Sequence, residues 1–276
     1  MKIAFCTCVQ IGKSCIEAIL SAGGHFNLLL TLHDHKSQKK SGRVYLDDIA
    51  NDNGIPLFKL NHINDADVAE VLKKYDIDWL FIIGWSQIAS FNLLNIPMEG
   101  IIGAHPTLLP IGRGRAAVPW AILKGLDKTG VTFFKMDEGV DTGEILDQFE
   151  IKLSPDETAT TLYTKVNQAH VELIKQIWPK LTNRLIVGIK QDESKATYWE
   201  GRAPADGEMT YAMTVLEAEK QIRALTRPYP GAYIVLNEIS KLIIWGGSIK
   251  PVPGSKILEF SDGKYYATNF EIVPIQ

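Results

Sequence analysis

Short apolar runs alternate with amphipathic stretches along the first half of the chain. The apolar runs suit buried strands, and the stretches between them carry apolar residues at helical spacing. The apolar runs predict strands at residues 3–9, 26–32, 57–60, 78–83 and 100–104. The amphipathic stretches between them predict helices at residues 12–22, 44–53 and 65–75. This alternation is typical of a mostly parallel α/β sheet with helices on both faces.

The pattern changes after Trp120, and the change predicts a second domain. Two strands are predicted at residues 130–136 and 144–153, followed by a long helix at 157–180 and a shorter helix at 214–225. Five short strands are predicted after these helices, at residues 232–235, 241–245, 257–260, 265–267 and 270–273. The polar, weakly periodic stretch 191–207 predicts a linker. We therefore predict a Rossmann-like α/β domain over residues 1–190, that linker, and a small β-rich C-terminal domain over 208–276.

Composition narrows the class of protein. Hydrophobic residues make up 46% of the 276 residues and the net charge is only −3, which excludes disorder as the dominant state. No global basic field draws the chain to nucleic acid or to acidic lipid. No apolar run approaches the roughly 20 residues of a membrane span, and the first residues lack the long apolar stretch of a secretory signal. We expect a cytoplasmic protein without a membrane partner.

Cysteines and histidines give little sign of a metal or a disulfide. The cysteines, Cys6, Cys8 and Cys15, all lie near the start of the chain, and strand alternation places the first two on one face as buried apolar groups. His33 and His35 follow a predicted strand without a third ligand nearby, so solvent-facing side chains are favoured over a metal site. We expect no metal requirement.

Two features could contact an anion. Gly12-Lys13-Ser14 lacks the glycine that a phosphate-binding loop needs five positions earlier, where Thr7 stands. A helix that begins at Gly12 could still offer free amides, so Gly12 and Lys13 are candidates for substrate binding beside a plain strand-to-helix turn. The basic segment 36–43 is either a solvated loop or a contact for phosphates.

The residues that most clearly indicate a catalytic site follow the strand predicted at residues 100–104. His105 begins the run His-Pro-Thr-Leu-Leu-Pro, at the position where open α/β sheets hold their reactive groups. Two prolines stiffen the loop that follows it. Asp141 stands between glycines in a predicted tight turn. A carboxylate that orients a histidine and raises its basicity is a natural general-base pair.

These motifs resemble those of the 10-formyltetrahydrofolate-dependent formyltransferases, which include the methionyl-tRNA, glycinamide ribonucleotide and sugar N-formyltransferases. The resemblance rests on residues 105–110 and on the Asp-Thr-Gly at 141–143. Residues 84–88 resemble the folate-binding loop, and 222–233 resemble the start of the smaller C-terminal domain of the tRNA and sugar branches. The resemblance covers most of the chain and argues against the shorter purine enzyme.

The resemblance implies that a substrate amine attacks the formyl carbon of 10-formyltetrahydrofolate, a cosubstrate released as tetrahydrofolate. His105 is the implied general base and Asp141 orients it. The family's catalytic Asn, which donates to the oxyanion, stands two residues before the His, where this chain has Gly103. A backbone amide, a water, protonated His105 or another side chain such as Gln87 would then replace it.

The other site residues fall into two sets. The cosubstrate set is Trp85, Ser86, Gln87, Ile88, Leu109, Val140 and Asp141. The substrate set is Gly12, Lys13, Thr107, Arg113 and Arg115.

Three interpretations of the acceptor stay open. Residues 113–120 resemble the sugar branch, whose partner would be a UDP- or dTDP-linked 4-amino-deoxysugar, with GDP also open, used for a surface polysaccharide. A tRNA acceptor would need a broad basic face, for which segment 36–43 is the one supporting feature, so we expect no nucleic acid partner. A non-catalytic protein that binds folate or a nucleotide sugar is favoured only by Gly103. Apolar surface on the long helix and the second domain could pair two chains as a homodimer.

Overall fold

Seven strands form the main sheet of the structure, a computed structural model that describes residues 1–39 and 42–275. They are β1 (Ile3–Cys6), β2 (Leu28–Leu32), β3 (Leu57–Leu60), β4 (Trp79–Ile82), β5 (Gly100–His105), β7 (Lys128–Lys135) and β8 (Ile145–Lys152). Their spatial order is β3-β2-β1-β4-β5-β7-β8. Strands β1 to β5 are parallel to one another, whereas β7 is antiparallel to β5. The mostly parallel sheet predicted from the sequence is confirmed.

Helices cover both faces of this sheet. The helices of the chain are α1 (Gln10–Ser21), α2 (Asp47–Asp52), α3 (Ala66–Lys74), α4 (Phe91–Leu94), α5 (Ala117–Leu123), α6 (Ala159–Thr182) and α7 (Val215–Leu225). On one face α3 and α4 bury apolar side chains against Cys6 and Cys8, which are fully buried, as predicted. On the other face α6 packs Trp178 against Phe26, with ring centroids 5.1 Å apart.

The order of the strands creates a crevice at one edge of the sheet. From β1 the chain moves outward to β2 and β3, then crosses back to β4 on the other side of β1. Loops that leave β1 and β4 at their carboxyl ends therefore diverge, which is where open α/β sheets bind ligands. The loops after β1, β4 and β5 all leave from this edge.

Packing divides the chain into two compact units. The first comprises Met1–Arg113, Gly130–Ile151 and Val166–Tyr198, and the second comprises Gly114–Thr129, Lys152–Lys165 and Trp199–Gln276. The short strands β6 (Arg113–Gly114) and β9 (Tyr198–Trp199) pair with each other. The domain boundaries drawn from the sequence at 190 and 207 stay a prediction.

The second unit holds an antiparallel sheet of four strands. These are β10 (Ala232–Asn237), β11 (Ser240–Ser248), β12 (Lys256–Phe260) and β13 (Gly263–Pro274), in the order β10-β11-β13-β12. Helix α7 begins with a capping box between Thr214 and Glu217 and buries Ala218 and Ile222. The predicted β-rich C-terminal region is confirmed.

Strand β13 and helix α6 differ from their sequence predictions, and the short helices α4 and α5 have no counterpart among the predicted elements. Strand β13 is one strand where the sequence predicts two, because the irregular register opposite Gly246 lets pairing with β11 continue through Asn269. Helix α6 continues past Pro179, where the sequence predicts an end, and its fully buried Leu181 packs the last turn. Among the helices in residues 1–39 and 42–275, none is long and apolar enough to cross a membrane.

Candidate active site

The loops after three adjacent strands build the candidate site. Cys6 of β1 lies opposite Ile82 of β4, which lies opposite Gly103 of β5, so these strands end at the same edge. The loops after β1 and β4 are in close contact at Gly84, where φ is +68° and an added Cβ would lie 2.2 Å from Val9 Cγ2. Only glycine adopts this positive φ readily and also lacks the Cβ that would clash with Val9. The predicted folate loop 84–88 therefore begins beside the β1 loop.

His105 ends β5 with both ring nitrogens near oxygen atoms. The side chain is buried, with Nε2 2.7 Å from the carbonyl oxygen of Gly112 and Nδ1 3.4 Å from Asp141 Oδ2. Because a carbonyl oxygen can only accept, the proton of this hydrogen bond lies on Nε2. Nδ1 faces the carboxylate at ion-pair distance. The two residues that the sequence predicts as a catalytic pair are thus brought together across about 36 positions of chain.

A tight turn presents Asp141 to the histidine. Asp141 has φ +57°, a left-handed conformation that Asp tolerates better than most residues. Within the turn, Asp137 Oδ1 accepts hydrogen bonds from the Gly139 amide at 3.1 Å and from Thr142 Oγ1 at 2.6 Å. A Cβ at Gly143 would lie 1.7 Å from the Lys135 carbonyl oxygen, so the chain can pass there only as glycine. The Asp-Thr-Gly sequence thus defines the local shape of the turn.

Arg113 is held by side chains of its own unit. Its guanidinium is fully buried and donates to Glu193 Oε1 at 2.6 Å and Oε2 at 2.9 Å, to Gln191 Oε1 at 2.8 Å and to Tyr198 Oη at 2.8 Å. The hydrogen bonds to Glu193 and, to a smaller extent, to Tyr198 raise the pKa of Arg113, and the guanidinium in turn lowers the pKa of Glu193. Gln191 also donates to the Asp141 and Gly143 carbonyl oxygens, so it joins Arg113, assigned from the sequence to the substrate, to the Asp141 turn.

The partners of Arg113 were missed in the sequence. Gln191 and Glu193 lie in the segment predicted as a linker, 78 and 80 positions after Arg113. A buried arginine requires an acceptor set, but the burial of Arg113 is itself not evident from the sequence. Nothing in the sequence shows which distant residues supply it.

A second network fixes the loop that follows His105. Thr132 Oγ1 accepts from the Leu109 amide at 3.1 Å and from Gln148 Nε2 at 2.8 Å, and it donates to the Thr107 carbonyl oxygen at 2.7 Å. Leu109, assigned to the cosubstrate, is buried in this network. Thr107, assigned to the substrate, is also buried, and within the described chain its hydroxyl has no hydrogen-bond partner.

The remaining cosubstrate residues differ in exposure. Trp85 is half-buried and packs on the core, whereas Ser86 and Ile88 are exposed, Ile88 by 72%. Val140, next to Asp141, is 51% exposed. Ile88 and Val140 therefore present exposed apolar side chains on the loops that follow β4 and β7.

The candidate Gln87 is tied to the loop after β3. Its carboxamide accepts from the Ile63 amide at 2.8 Å and from Trp85 Nε1 at 3.2 Å, and it donates to the Asn61 carbonyl oxygen at 3.3 Å. Gln87 thus holds loop 84–88 against the end of β3. These contacts orient the loop. They also occupy the Gln87 carboxamide, which the sequence suggested as a replacement for the missing Asn donor at residue 103.

The candidates for phosphate contact have local roles. A Cβ at Gly12 would lie 2.0 Å from Thr7 Oγ1, so this glycine permits close packing at the start of α1, and Lys13 pairs with Glu17 at 3.7 Å. Arg43 donates to Thr31 Oγ1 and to the Leu32 carbonyl oxygen. Arg115 belongs to the second unit and is exposed.

The other predictions for this region concern metal and the basic segment. The rings of His33 and His35 stack with centroids 5.4 Å apart, and the part of the chain that the structure describes has no group of three or more His, Cys, Asp or Glu able to hold a metal ion. Lys40 and Ser41 of segment 36–43 lie outside the described residues.

Comparison with known proteins identifies the family. A family model described as formyl transferase matches residues 10–177, more than half of the chain. The chain belongs to this formyltransferase family. The methionyl-tRNA formyltransferase of Agathobacter rectalis is 30% identical to it over 257 residues, which cover 92% of this chain and 82% of the relative.

Solved structures with a similar fold include both branches of the family. An N-formyltransferase from Helicobacter canadensis, in complex with folinic acid and dTDP-3-aminofucose, aligns with a TM-score of 0.70 at 20% identity, over 99% of this chain and 98% of that one. A methionyl-tRNA formyltransferase from Clostridium thermocellum aligns with a TM-score of 0.66 at 20% identity, over 99% of both chains. These two structures establish the fold.

In this formyltransferase the space beside Gly103 is occupied. A Cβ at residue 103 would lie 3.0 Å from Phe134 Cζ and 3.0 Å from Met136 Cγ. Phe134 lies opposite Gly103 in the β5–β7 register and is buried. A side chain at this position would therefore require Phe134 and Met136 to shift by a few tenths of an ångström. The apolar side chains of Phe134 and Met136 therefore occupy the space that an Asn side chain at residue 103 would need.

Proposed function

We propose that this protein transfers the formyl group of 10-formyltetrahydrofolate to the amine of a nucleotide-linked amino sugar, a UDP- or dTDP-4-amino-deoxysugar. The observation that carries the reaction is the pairing of buried His105 with partly buried Asp141 at the carboxyl edge of the sheet. The similarity to the H. canadensis N-formyltransferase, which holds dTDP-3-aminofucose, supports a sugar acceptor.

The residues at this edge fit the cosubstrate. Trp85, Ile88 and Val140 offer apolar surface for the flat ring system of the folate. When bound, 10-formyltetrahydrofolate supplies the formyl carbon that the amine attacks.

In the proposed mechanism the acceptor amine forms a bond to the formyl carbon while the bond from that carbon to N10 of the folate breaks. His105 takes the amine proton at Nδ1 and returns it to N10, so that tetrahydrofolate leaves. Nε2 of His105 keeps a proton through the hydrogen bond to the Gly112 carbonyl oxygen, so only Nδ1 is available as the base. The Asp141 carboxylate, 3.4 Å away, stabilises the imidazolium that forms. Protonated His105 and backbone amides are then the donors left to the oxyanion, because residue 103 has no side chain and Gln87 is tied to the β3 loop.

Methionyl-tRNA is the alternative acceptor, favoured by the 30% identity to the A. rectalis enzyme. Binding of tRNA depends on many phosphate contacts and therefore on basic side chains that face solvent. The chain carries a net charge of −3, and Arg43 of the basic segment is bonded to Thr31 and Leu32. These facts favour a small anionic acceptor, which needs only a local patch.

A panel of acceptors tests the proposal. The protein is incubated with 10-formyltetrahydrofolate and UDP-, dTDP- and GDP-linked 3-amino and 4-amino sugars, with initiator methionyl-tRNA in parallel, and products are analysed by mass spectrometry. We expect the mass of one formyl group to be gained by a UDP- or dTDP-linked sugar. Transfer to tRNA alone would replace the acceptor, and folate binding without transfer to any acceptor would favour the non-catalytic protein.

A further inference from the structure

The buried guanidinium of Arg113 is a costly feature that the proposed reaction has not yet used. Its side chain has no exposed surface, and all three guanidinium nitrogens donate hydrogen bonds. Its ionic partner Glu193 is 68% exposed, so the charge is neutralised from the solvent side. Burial of a cation in this way contributes little net stability, which leaves room for a role in specifying geometry.

Gln191 connects this arginine to the Asp141 turn. Its Oε1 accepts from Arg113 Nη2 at 2.8 Å and from Nε at 3.1 Å. Its Nε2 donates to the Asp141 carbonyl oxygen at 2.8 Å and to the Gly143 carbonyl oxygen at 2.7 Å. Because arginine only donates and carbonyls only accept, all four contacts require one orientation of the carboxamide. Gln191 therefore holds both ends of the Asp-Thr-Gly sequence.

The same arginine adjoins the other contact of His105. Gly112, whose carbonyl oxygen accepts from His105 Nε2, donates its amide to Thr197 Oγ1 at 2.8 Å. The Arg113 amide donates to the Thr197 carbonyl oxygen at 2.9 Å. The segment 191–198 thus supplies bonds to both groups that flank the imidazole ring. A shift of this segment would move Asp141 and Gly112 relative to His105.

We propose that Arg113 and Gln191 are positioning residues that hold the Asp141 carboxylate and the Gly112 carbonyl against His105. This inference rests on the proposed function for its kinetic consequence, but the positional claim concerns the structure alone. Displacement of a catalytic group by about 1 Å can lower a rate by about 100-fold. We therefore expect loss of the Gln191 donors to lower kcat about 10- to 100-fold, with KM changed less than threefold.

The first experiment does not require activity. Gln191→Glu keeps the size of the side chain and the acceptor for Arg113, but it removes the two donors to the turn. Hydrogen exchange of the peptide that covers residues 137–145 is measured in the whole protein by mass spectrometry, with exposed Gln168→Glu as the matched control. We expect exchange at least tenfold faster in Gln191→Glu and unchanged in the control. Equal exchange in Gln191→Glu and wild type would overturn the positional claim.

A second experiment separates positioning from general destabilisation. Gln191→Glu is made in the wild type and in Asp141→Asn, and kcat and KM are measured for the acceptor that the wild type uses. If Gln191 acts through the Asp141 carboxylate, its effect on kcat falls below threefold in the Asp141→Asn background. An equal fold-loss in both backgrounds would contradict the proposal. If the wild type itself transfers no formyl group, the proposed function fails, and the exchange experiment alone decides the positional claim.

Arg113→Lys gives an independent test should Gln191→Glu fold poorly. Lysine keeps the charge but cannot reproduce the planar set of donors that contacts Gln191 and Glu193 together. We expect faster exchange of the same peptide in Arg113→Lys and no change in the exposed control Gln168→Glu. Unchanged exchange in Arg113→Lys would contradict a role for Arg113.

Discussion

At the residue scale, the surroundings of Gly103 decide which groups the site can offer to a substrate. Phe134 and Met136 lie at the contact limit of a Cβ on residue 103, so the position accepts neither a side chain nor a ligand atom without rearrangement. The donors of this site must therefore come from His105 and from the backbone. The space beside Gly103 is thus filled by apolar side chains, and it is not an open cavity into which a water or a ligand could bind in place of the Asn carboxamide.

Restoration of the Asn tests this account of Gly103. We expect Gly103→Asn to lower the free energy of unfolding by about 1–3 kcal/mol through overpacking, and to lower kcat rather than raise it. Urea unfolding and steady-state kinetics measure the two effects. Gly54→Asn is the control, because a Cβ there meets nothing within 4 Å and Asn tolerates its φ of +61°. A stable and faster Gly103→Asn variant would show that the space is open.

Thr132 gives a second prediction at this scale. Thr132→Val leaves the Leu109 amide and the Thr107 carbonyl without their partner. We expect a loss of about 1–3 kcal/mol in the free energy of unfolding, measured by urea denaturation, because buried polar groups become unpaired. The control is Thr164→Val on α6, an exposed threonine whose hydroxyl bonds only to a helix carbonyl. Equal losses in both variants would contradict the role of Thr132.

At the element scale, helix α6 places a second histidine inside the first unit. His170 is buried, its ring centroid lies 5.7 Å from that of Phe133, and its Nδ1 hydrogen-bonds the Val166 carbonyl oxygen at 2.7 Å. Burial, and to a smaller extent the charge of nearby His105, lowers the pKa of His170 from 6.5 to about 4. The folded protein thus excludes a proton that the unfolded chain binds.

The sign of the pH dependence follows from this lowered pKa. Above about pH 6.5 the residue is neutral in both states, and as pH falls toward 4 the unfolded state is favoured increasingly. We expect His170 to account for an acid loss of up to about 3 kcal/mol in this window. Urea unfolding at pH 7.5 and 4.5 should show a smaller acid loss in His170→Gln than in the wild type. An unchanged loss, matching that of exposed His25→Gln, would contradict this account.

The predictable elements are those whose pattern is local. Strands β1, β2 and β4 have continuous apolar runs, and helix α7 has a capping box, so their existence follows from the sequence. The two-residue strands β6 and β9 have no such pattern and form only because distant segments meet. The same limit applies to the site, where strand ends place His105 near Asp141, while the contacts of Gln191 and Glu193 with Arg113 depend on tertiary packing.

At the scale of the whole molecule, charge should separate the two candidate acceptors. A tRNA that displaces counterions from several phosphates binds with a steep dependence on salt, whereas a nucleotide diphosphate does not. We expect KM for the sugar nucleotide to change less than about tenfold between 50 and 200 mM salt, since a few phosphate contacts suffice. A fall in tRNA formylation of about 1,000-fold over the same range, with no sugar formylation, would support the alternative acceptor.

The central claim is that His105, paired with Asp141, performs formyl transfer although residue 103 has no side chain. The most direct test compares single-turnover formylation of a dTDP- or UDP-amino sugar by the wild type, by His105→Gln and by the surface control His25→Gln, with folate binding measured in each. We predict transfer by the wild type and the control, and a rate about 10²–10⁴-fold lower in His105→Gln with folate binding retained. Equal rates in His105→Gln and wild type, or no transfer by the folate-bound wild type, would contradict the claim.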